Sequence, residues 1–320
     1  MTARPLPEPF TASARDGYVI HGSRWLHPRD ARAPVVVINA ATSVHSRYYA
    51  RYAAWLHARG RDVYTYDYRG IGLSRPAAGL RGLAASWTDW GAFDCDAVLR
   101  EVAHRHEDVP VDVVAHSFGG CALGLAASAG RVRHVVTVAA QYAYWRDYAP
   151  RQRLAMVLRW HALMPLLTRL FGYFPGKRLG WLEDTPAGVV HDWSSPRPDY
   201  RQRPSMRAAP PAIAFSHLRA RMLAIGLDDD PFGTDAAIDR LLAHYVQCAR
   251  TQLRIAPADI GAVAIGHFAL FHERHADSLW PLTLAWLDQG HLPADHVGRV
   301  SEPGARPAAP HQGRFSRKIT

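Results

Sequence analysis

The sequence predicts an α/β fold: a mostly parallel, doubly wound sheet carrying one inserted helical segment. Three observations predict it. Short β-rich apolar runs alternate with amphipathic helical patterns along the chain. Most of those runs are continuously apolar rather than alternating, as strands covered on both faces are. The alternation breaks once, for about eighty residues before Met222, which is too long for an ordinary crossover loop.

Taken in order, the strand candidates are "YVIHGSRWL", "PVVVINA", "DVYTYDY", "VDVVAH", "HVVTVAA", "RMLAIGL" and "TQLRIAP", the last six being the buried parallel set. Between them, "RYYARYAAWLHARG" places Tyr49, Tyr52, Ala53 and Leu56 on one helical face and stops at Gly60. "TDWGAFDCDAVLREVAHRH" does the same with Trp90, Phe93, Ala97, Val98 and Val102. Within the long interruption, "RLAMVLRWHALMPLLTRLFGYF" is helical in pattern and unusually apolar, with Trp160, Leu163, Met164, Leu167 and Phe171. It is expected to lie as a lid over the site. The expected organisation is a core over 1–140, a helical lid over 141–215, the rest of the core over 216–290, and a disordered basic tail over 291–320, whose Pro, Gly, Ala and Arg content carries no apolar period.

A chain of 320 residues, 48% hydrophobic, suffices for one large core. The net charge of +10 comes from arginines scattered among acids rather than clustered, and no nucleic-acid reader module is present, so nucleic acid is not an expected partner. No run reaches the about eighteen apolar residues of a membrane span and the N-terminus lacks a secretory pattern, so the expectation is a cytoplasmic protein without membrane insertion. Cys95, Cys121 and Cys248 are far apart, which points to neither disulfides nor zinc. "HERH" also fails as a zinc motif: His272 and His275 are one residue short of the one-turn spacing and have no third ligand. They are expected on the outer face of a C-terminal helix. No cofactor is implied, and the oligomeric state is not readable.

The chemistry gathers at "DVVAHSFGGC". A serine at a sharp strand-to-helix turn is raised clear of the sheet and faces free helix N–H groups, and small neighbours permit the turn. Gly119 and Gly120 follow Ser117, but the first glycine of the G-x-S-x-G pattern is Ala115. Serine needs a base, and the base an orienting acid. "DDDPFGT" offers three acids after one strand, and "AIGHFALF" offers His267 after the last, in the order Ser, Asp, His.

With "AHSFGG", "YDYRGIGLS", "DDDPFG" and "GHF" in this order, the chain resembles the α/β-hydrolase superfamily over roughly residues 10–290. It is most similar to a bacterial branch of serine hydrolases with comparable "INAATS", "YAYWRDYAP" and "DTPAGV" segments. The resemblance implies Ser117 as nucleophile, His267 as general base and Asp230 as the acid, with Asp229 as its alternative and Asp228 behind both. It implies an oxyanion hole made by the N–H groups of Phe118 and Ala41, although relatives carry His-Gly-x where this chain has Asn39-Ala40-Ala41. Asp67 and Arg69 are expected to tie a loop. Gln141, Tyr142, Tyr144 and Trp145, directly after a strand end, are candidates for a substrate pocket or for core packing. The expected activity is hydrolysis of an ester-like bond in a hydrophobic small molecule through an acyl-enzyme; the alternatives are acyl transfer by the same triad, or ligand binding without catalysis.

Overall fold

The computed structural model describes residues 6–28, 33–208 and 214–301. Its sheet comprises β1 (Glu8–Ser13), β2 (Val19–Trp25), β3 (Val35–Asn39), β4 (Asp62–Tyr66), β5 (Val111–His116) and β6 (Val132–Val138). A separate two-stranded ribbon of β7 (Tyr173–Phe174) and β8 (Thr185–Pro186) follows, and β9 (Arg221–Leu227), β10 (Ala249–Ile255) and β11 (Arg299–Ser301) complete the main sheet. The spatial order is β1-β2-β4-β3-β5-β6-β9-β10-β11. Neighbours from β4 to β10 run parallel, while β1 with β2, β2 with β4, and β11 with β10 are antiparallel.

The six continuous apolar runs are the six parallel strands. Every residue of β3, β4 and β5 is buried, because helices cover both faces of the sheet at its centre. From β3 the chain moves one way to β4 and then back across to β5, so a crevice opens beyond the carboxyl ends of β3 and β5. Both loops expected to carry chemistry emerge there.

Tyr52, Ala53 and Leu56 of the helix Ala50–His57 are buried, with Tyr49 just before it. The second amphipathic pattern begins as a π turn, Trp90–Cys95, and continues as the α-helix Asp96–Arg105, which leaves Phe93 only partly buried.

Three expectations are corrected. The antiparallel strand β1 escaped notice because only Phe10 and Ala12 of its six residues turn inward. The tail is not disordered from residue 291: Arg299–Ser301 pairs with Gln252–Arg254 of β10, and Arg299 reaches Asp228 (3.1 Å), while 302–320 lie outside the described residues. The helix Arg153–Phe171, 19 residues with a mean hydropathy of 1.2 in its 18-residue window, does meet the length and composition of a membrane span. Arginines interrupt its apolar run, which hid this, and its inner face is packed against the body of the protein.

The loop after β4 is tied internally, as expected for Asp67 and Arg69. Asp67 accepts hydrogen bonds from the N–H groups of Ser46 (2.6 Å) and Leu73 (2.8 Å). Buried Arg69 donates through Nε to fully buried Asp94 (2.7 Å) and through its guanidinium to Asp16. Breaking a buried pair from one side strands the other charge. Arg69→Leu is therefore expected to lower unfolding free energy by about 3–5 kcal/mol, measured by urea denaturation.

Candidate active site

At the end of β5 the backbone kinks: Ser117 has φ 53° and ψ −119°, a conformation that side-chain-bearing residues rarely adopt. The surroundings hold it there. Ser117 N–H donates to the Val138 carbonyl (3.0 Å), and its own carbonyl accepts from Gly120 N–H (3.1 Å) as the helix Phe118–Leu125 begins. A Cβ at Gly119 would lie 2.4 Å from the Asn39 carbonyl oxygen, so glycine is required where helix and β3 touch. Ala115 sits fully buried within β5 without a left-handed φ, so its methyl replaces the motif's first glycine without backbone strain.

The three successive acids after β9 have separate tasks. Asp230 Oδ2 accepts from His267 Nδ1 (2.7 Å), and its other oxygen accepts from Phe232 N–H (2.8 Å). Asp229 accepts from the N–H groups of Ile265 (2.8 Å) and Gly266 (2.9 Å), fixing the loop that presents His267. Asp228 pairs with Arg254 (3.1 Å) at the surface. Burial acts to raise the Asp230 carboxyl, but the charge and hydrogen bond of His267, with backbone N–H groups, outweigh it and hold the carboxyl below its ordinary value. Since Nδ1 faces the carboxylate, Nε2 is left for the cavity that Ser117 and His267 both line. Ser117 Oγ and His267 Nε2 make no hydrogen bond in this structure, a contact that often tightens only with substrate present.

A chain of hydrogen bonds that the motifs did not reveal runs behind these groups. Ala41 N–H donates to Tyr49 Oη (2.9 Å), Tyr49 Oη lies 2.7 Å from His116 Nδ1, and His116 Nε2 lies 2.8 Å from the His267 carbonyl. A carbonyl only accepts, so Nε2 carries the proton and Nδ1 receives that of Tyr49. Burial first, and then the charge of His267, press the His116 pKa down to about 3, which keeps the ring neutral in this role. The expected oxyanion donor Ala41 is thereby corrected: it lies on the cavity wall, but its N–H is turned to Tyr49. The next residue, Thr42, also lines the cavity, and its N–H has no partner among the described residues. Phe118 stands at the helix N-terminus, where the first N–H groups have no intrahelical partner.

The cavity has a volume of about 310 Å³. Gln141 and Tyr142 line it, but Tyr144 and Trp145 do not. After Tyr142 N–H bonds to the Ala237 carbonyl, the chain turns away through Trp145–Asp147, and Tyr144 packs under Arg240 instead. The aromatic wall comes largely from elsewhere. Phe118, Trp87, Trp193 and Trp160 stack in succession, with Trp181 edge-on to Trp160. Only the abundance of tryptophan, ten residues, hinted at it in the sequence. The C-terminal helix starts only at Trp280, so neither histidine lies on its face: His275 is buried at the end of the 3₁₀ turn Glu273–His275, and His272 is exposed just before that turn.

The family described as serine aminopeptidase, S33, matches residues 30–222, about three-fifths of the chain; the match takes in Ser117 and stops short of Asp230 and His267. None of the curated proteins matches. Among solved structures, the Pyrococcus furiosus esterase Pf2001 aligns with a TM-score of 0.56 at 12% identity, over 88% of this chain and 91% of that one. The α/β hydrolase GrgF from Penicillium sp. sh18 aligns at 0.53 and 15% identity, over 89% and 97%. The thioesterase domain from the curacin biosynthetic pathway aligns at 0.51 and 15%, over 88% and 100%. At these identities the likeness is one of fold, the α/β-hydrolase fold.

Two outcomes follow from the site's geometry. Gly119→Ala forces a methyl into the Asn39 main chain, so it is expected to lower the thermal midpoint and to displace Ser117, read by calorimetry and by loss of reactivity toward serine-directed probes. For pH, an imidazole with pKa about 3 folded and 6.5 unfolded binds fewer protons in the native state. His116 therefore contributes stability above pH 6.5 that is lost as pH falls toward 3, and the lowered pKa values of His106, His161 and His244 act with the same sign. The buried carboxyls of Asp94, which burial pushes up to about 7, and of Asp192, also raised by burial, act with the opposite sign. The His116 contribution is therefore read as the difference in thermal-midpoint pH dependence between the protein and a His116→Gln variant, the variant losing less on acidification.

Proposed function

The chain belongs to the serine aminopeptidase S33 family of α/β-hydrolases, and from that premise we propose a serine hydrolase that cleaves an ester-like bond of an apolar small molecule. One observation carries the reading: Ser117, on its strained turn, and His267, held through Nδ1 by Asp230, open on the same aromatic cavity. Ser117 Oγ bonds to the substrate's carbonyl carbon as its proton passes to His267 Nε2. The imidazolium, stabilised by Asp230, then returns that proton to the leaving alcohol. Water attacks the acyl-enzyme by the same route. The carbonyl oxygen, now negative, is received by the N–H of Phe118 and, in place of Ala41, that of Thr42, each donor worth about 3 kcal/mol in the transition state.

The cavity's lining supports an ester over a peptide with a free amino end. Such a peptide brings an ammonium group, yet among the described residues no Asp or Glu lines the cavity, and the Lys or Arg side chain on its wall is the cationic Arg159. The expectation of a lid over 141–215 is supported by its described part, since Trp160, Trp181 and Trp193 form much of the apolar wall. A second reading, binding without turnover, is favoured by the missing Ser117–His267 hydrogen bond.

Purified protein is expected to take a fluorophosphonate label and to hydrolyse short p-nitrophenyl esters, with Ser117→Ala abolishing both. Asp230→Asn, which mis-sets the imidazole, is expected to lower kcat by about 10⁴-fold. Unchanged labelling of the serine variant overturns the assignment, and labelling without turnover favours the second reading.

A further inference from the structure

Of the twelve large hydrophobic side chains that the described residues leave exposed, six lie between 154 and 179. Four of them, Leu154, Leu158, Leu166 and Leu170, stand 73%, 57%, 55% and 67% exposed along the helix Arg153–Phe171. The opposite side, Met156, Trp160, Met164 and Thr168, is buried. Both sets recur in steps of four or eight residues. Steps of four outrun the α-helical turn of about 3.6 residues, so over this length each stripe would drift around a regular helix. The wider turn of the π segment Leu158–Leu163 absorbs the drift and holds two opposite faces straight. The buried stripe explains why the helix packs on the protein; nothing among the described residues covers the leucine stripe.

The charge carried by this stretch of chain has one sign. From Tyr148 to Leu182 the chain contains no Asp or Glu, but it has Arg151, Arg153, Arg159, Arg169, Lys177 and Arg178. Lys177 is paired with Glu183 (2.7 Å), whereas Arg151, Arg169 and Arg178 form no ion pair among the described residues. Exposed leucines between unpaired arginines suit a helix lying in the plane of a bilayer surface, with leucines at the acyl boundary and guanidinium groups among anionic headgroups. A second copy of this face would set cation against cation. A helix crossing the bilayer would have to leave the body on which Met156, Trp160 and Met164 are packed.

We propose that the outer face of Arg153–Phe171 docks the protein peripherally on anionic phospholipid surfaces. Trp160, on the inner face of the same helix, lines the aromatic cavity, and Arg159 stacks over Trp181 (4.8 Å) on that wall. Docking therefore brings the cavity to the lipid surface. Membrane attachment stands independently of the reaction assigned to Ser117, since it is read by binding alone.

The test is co-sedimentation of the full chain with vesicles of phosphatidylcholine alone and of phosphatidylcholine mixed with phosphatidylserine. Binding is expected only to the mixed vesicles, and raised salt weakens it. Leu158→Glu with Leu166→Glu lowers affinity by at least about tenfold, and Arg151→Gln with Arg169→Gln by roughly fivefold per charge. All four side chains point to solvent, so an unchanged thermal midpoint in the variants accompanies the supporting result. Absence of binding to the mixed vesicles, equal binding to both kinds, or retention of binding by folded variants overturns the proposal. So does a self-associated chain that the leucine substitutions convert to monomer, because the face then belongs to a second copy.

Discussion

The left-handed kink at Ser117 is the constraint on which the rest of the site depends. A residue with a side chain at φ 53° persists only where its surroundings over-determine it. Here the main chain of β6 holds it from one side through Val138, and the first turn of the following helix closes on its carbonyl. The kink also demands that the helix start against β3, which is why Gly119 meets Asn39 without a side chain between them. Asn39 reinforces that junction, donating from Nδ2 to the Gly119 carbonyl (3.3 Å) while its Oδ1 accepts from Tyr66 (3.0 Å). The serine, the helix N-terminus and the loop after β3 are thus positioned by one packing event.

Distant parts of the chain are brought to this kink by backbone hydrogen bonding more than by the reacting groups themselves. Asp229 holds the loop before His267 by two N–H groups, and His116, next to the serine, holds the His267 carbonyl. Tyr49 links that bond to the loop after β3. A protonated His116 has no lone pair to offer Tyr49, so the neutral state that burial imposes is part of the scaffold. Division of labour among Asp228, Asp229 and Asp230 has the same logic: surface pairing, loop fixation and imidazole orientation lie on consecutive residues because each points a different way from a tight turn.

Much of this was legible in the sequence, for identifiable reasons. Strands buried on both faces read as unbroken apolar runs, and the order of serine, acid and histidine follows from where each loop leaves a parallel sheet. Asp230 could be told from Asp229 only by the resemblance, since neighbouring carboxylates after a strand look alike until the turn is built. The N–H direction of Ala41 was invisible, because it depends on Tyr49, which reads as one more core residue of an amphipathic helix. Tyr144 and Trp145 looked well placed after β6, but the chain, tied by the bond from Tyr142 to Ala237, turns away after the three pocket residues Gln141, Tyr142 and Ala143. The cavity's tryptophans are scattered from 87 to 193 and converge only in three dimensions. The stretch 153–171 read as an apolar helix expected to lie as a lid, since its two opposite faces appear only once the π turn is known.

The central claim is that Ser117 Oγ is a nucleophile served by His267 and by the N–H groups of Phe118 and Thr42. The most direct measurement is a crystal structure of the protein after reaction with a phosphonate ester. The account requires phosphorus bonded to Ser117 Oγ, His267 Nε2 facing the leaving-group side, and the phosphoryl oxygen within hydrogen-bond distance of both N–H groups. A phosphonate on another residue, or one on Ser117 with its oxygen directed away from Phe118 and Thr42, would contradict it.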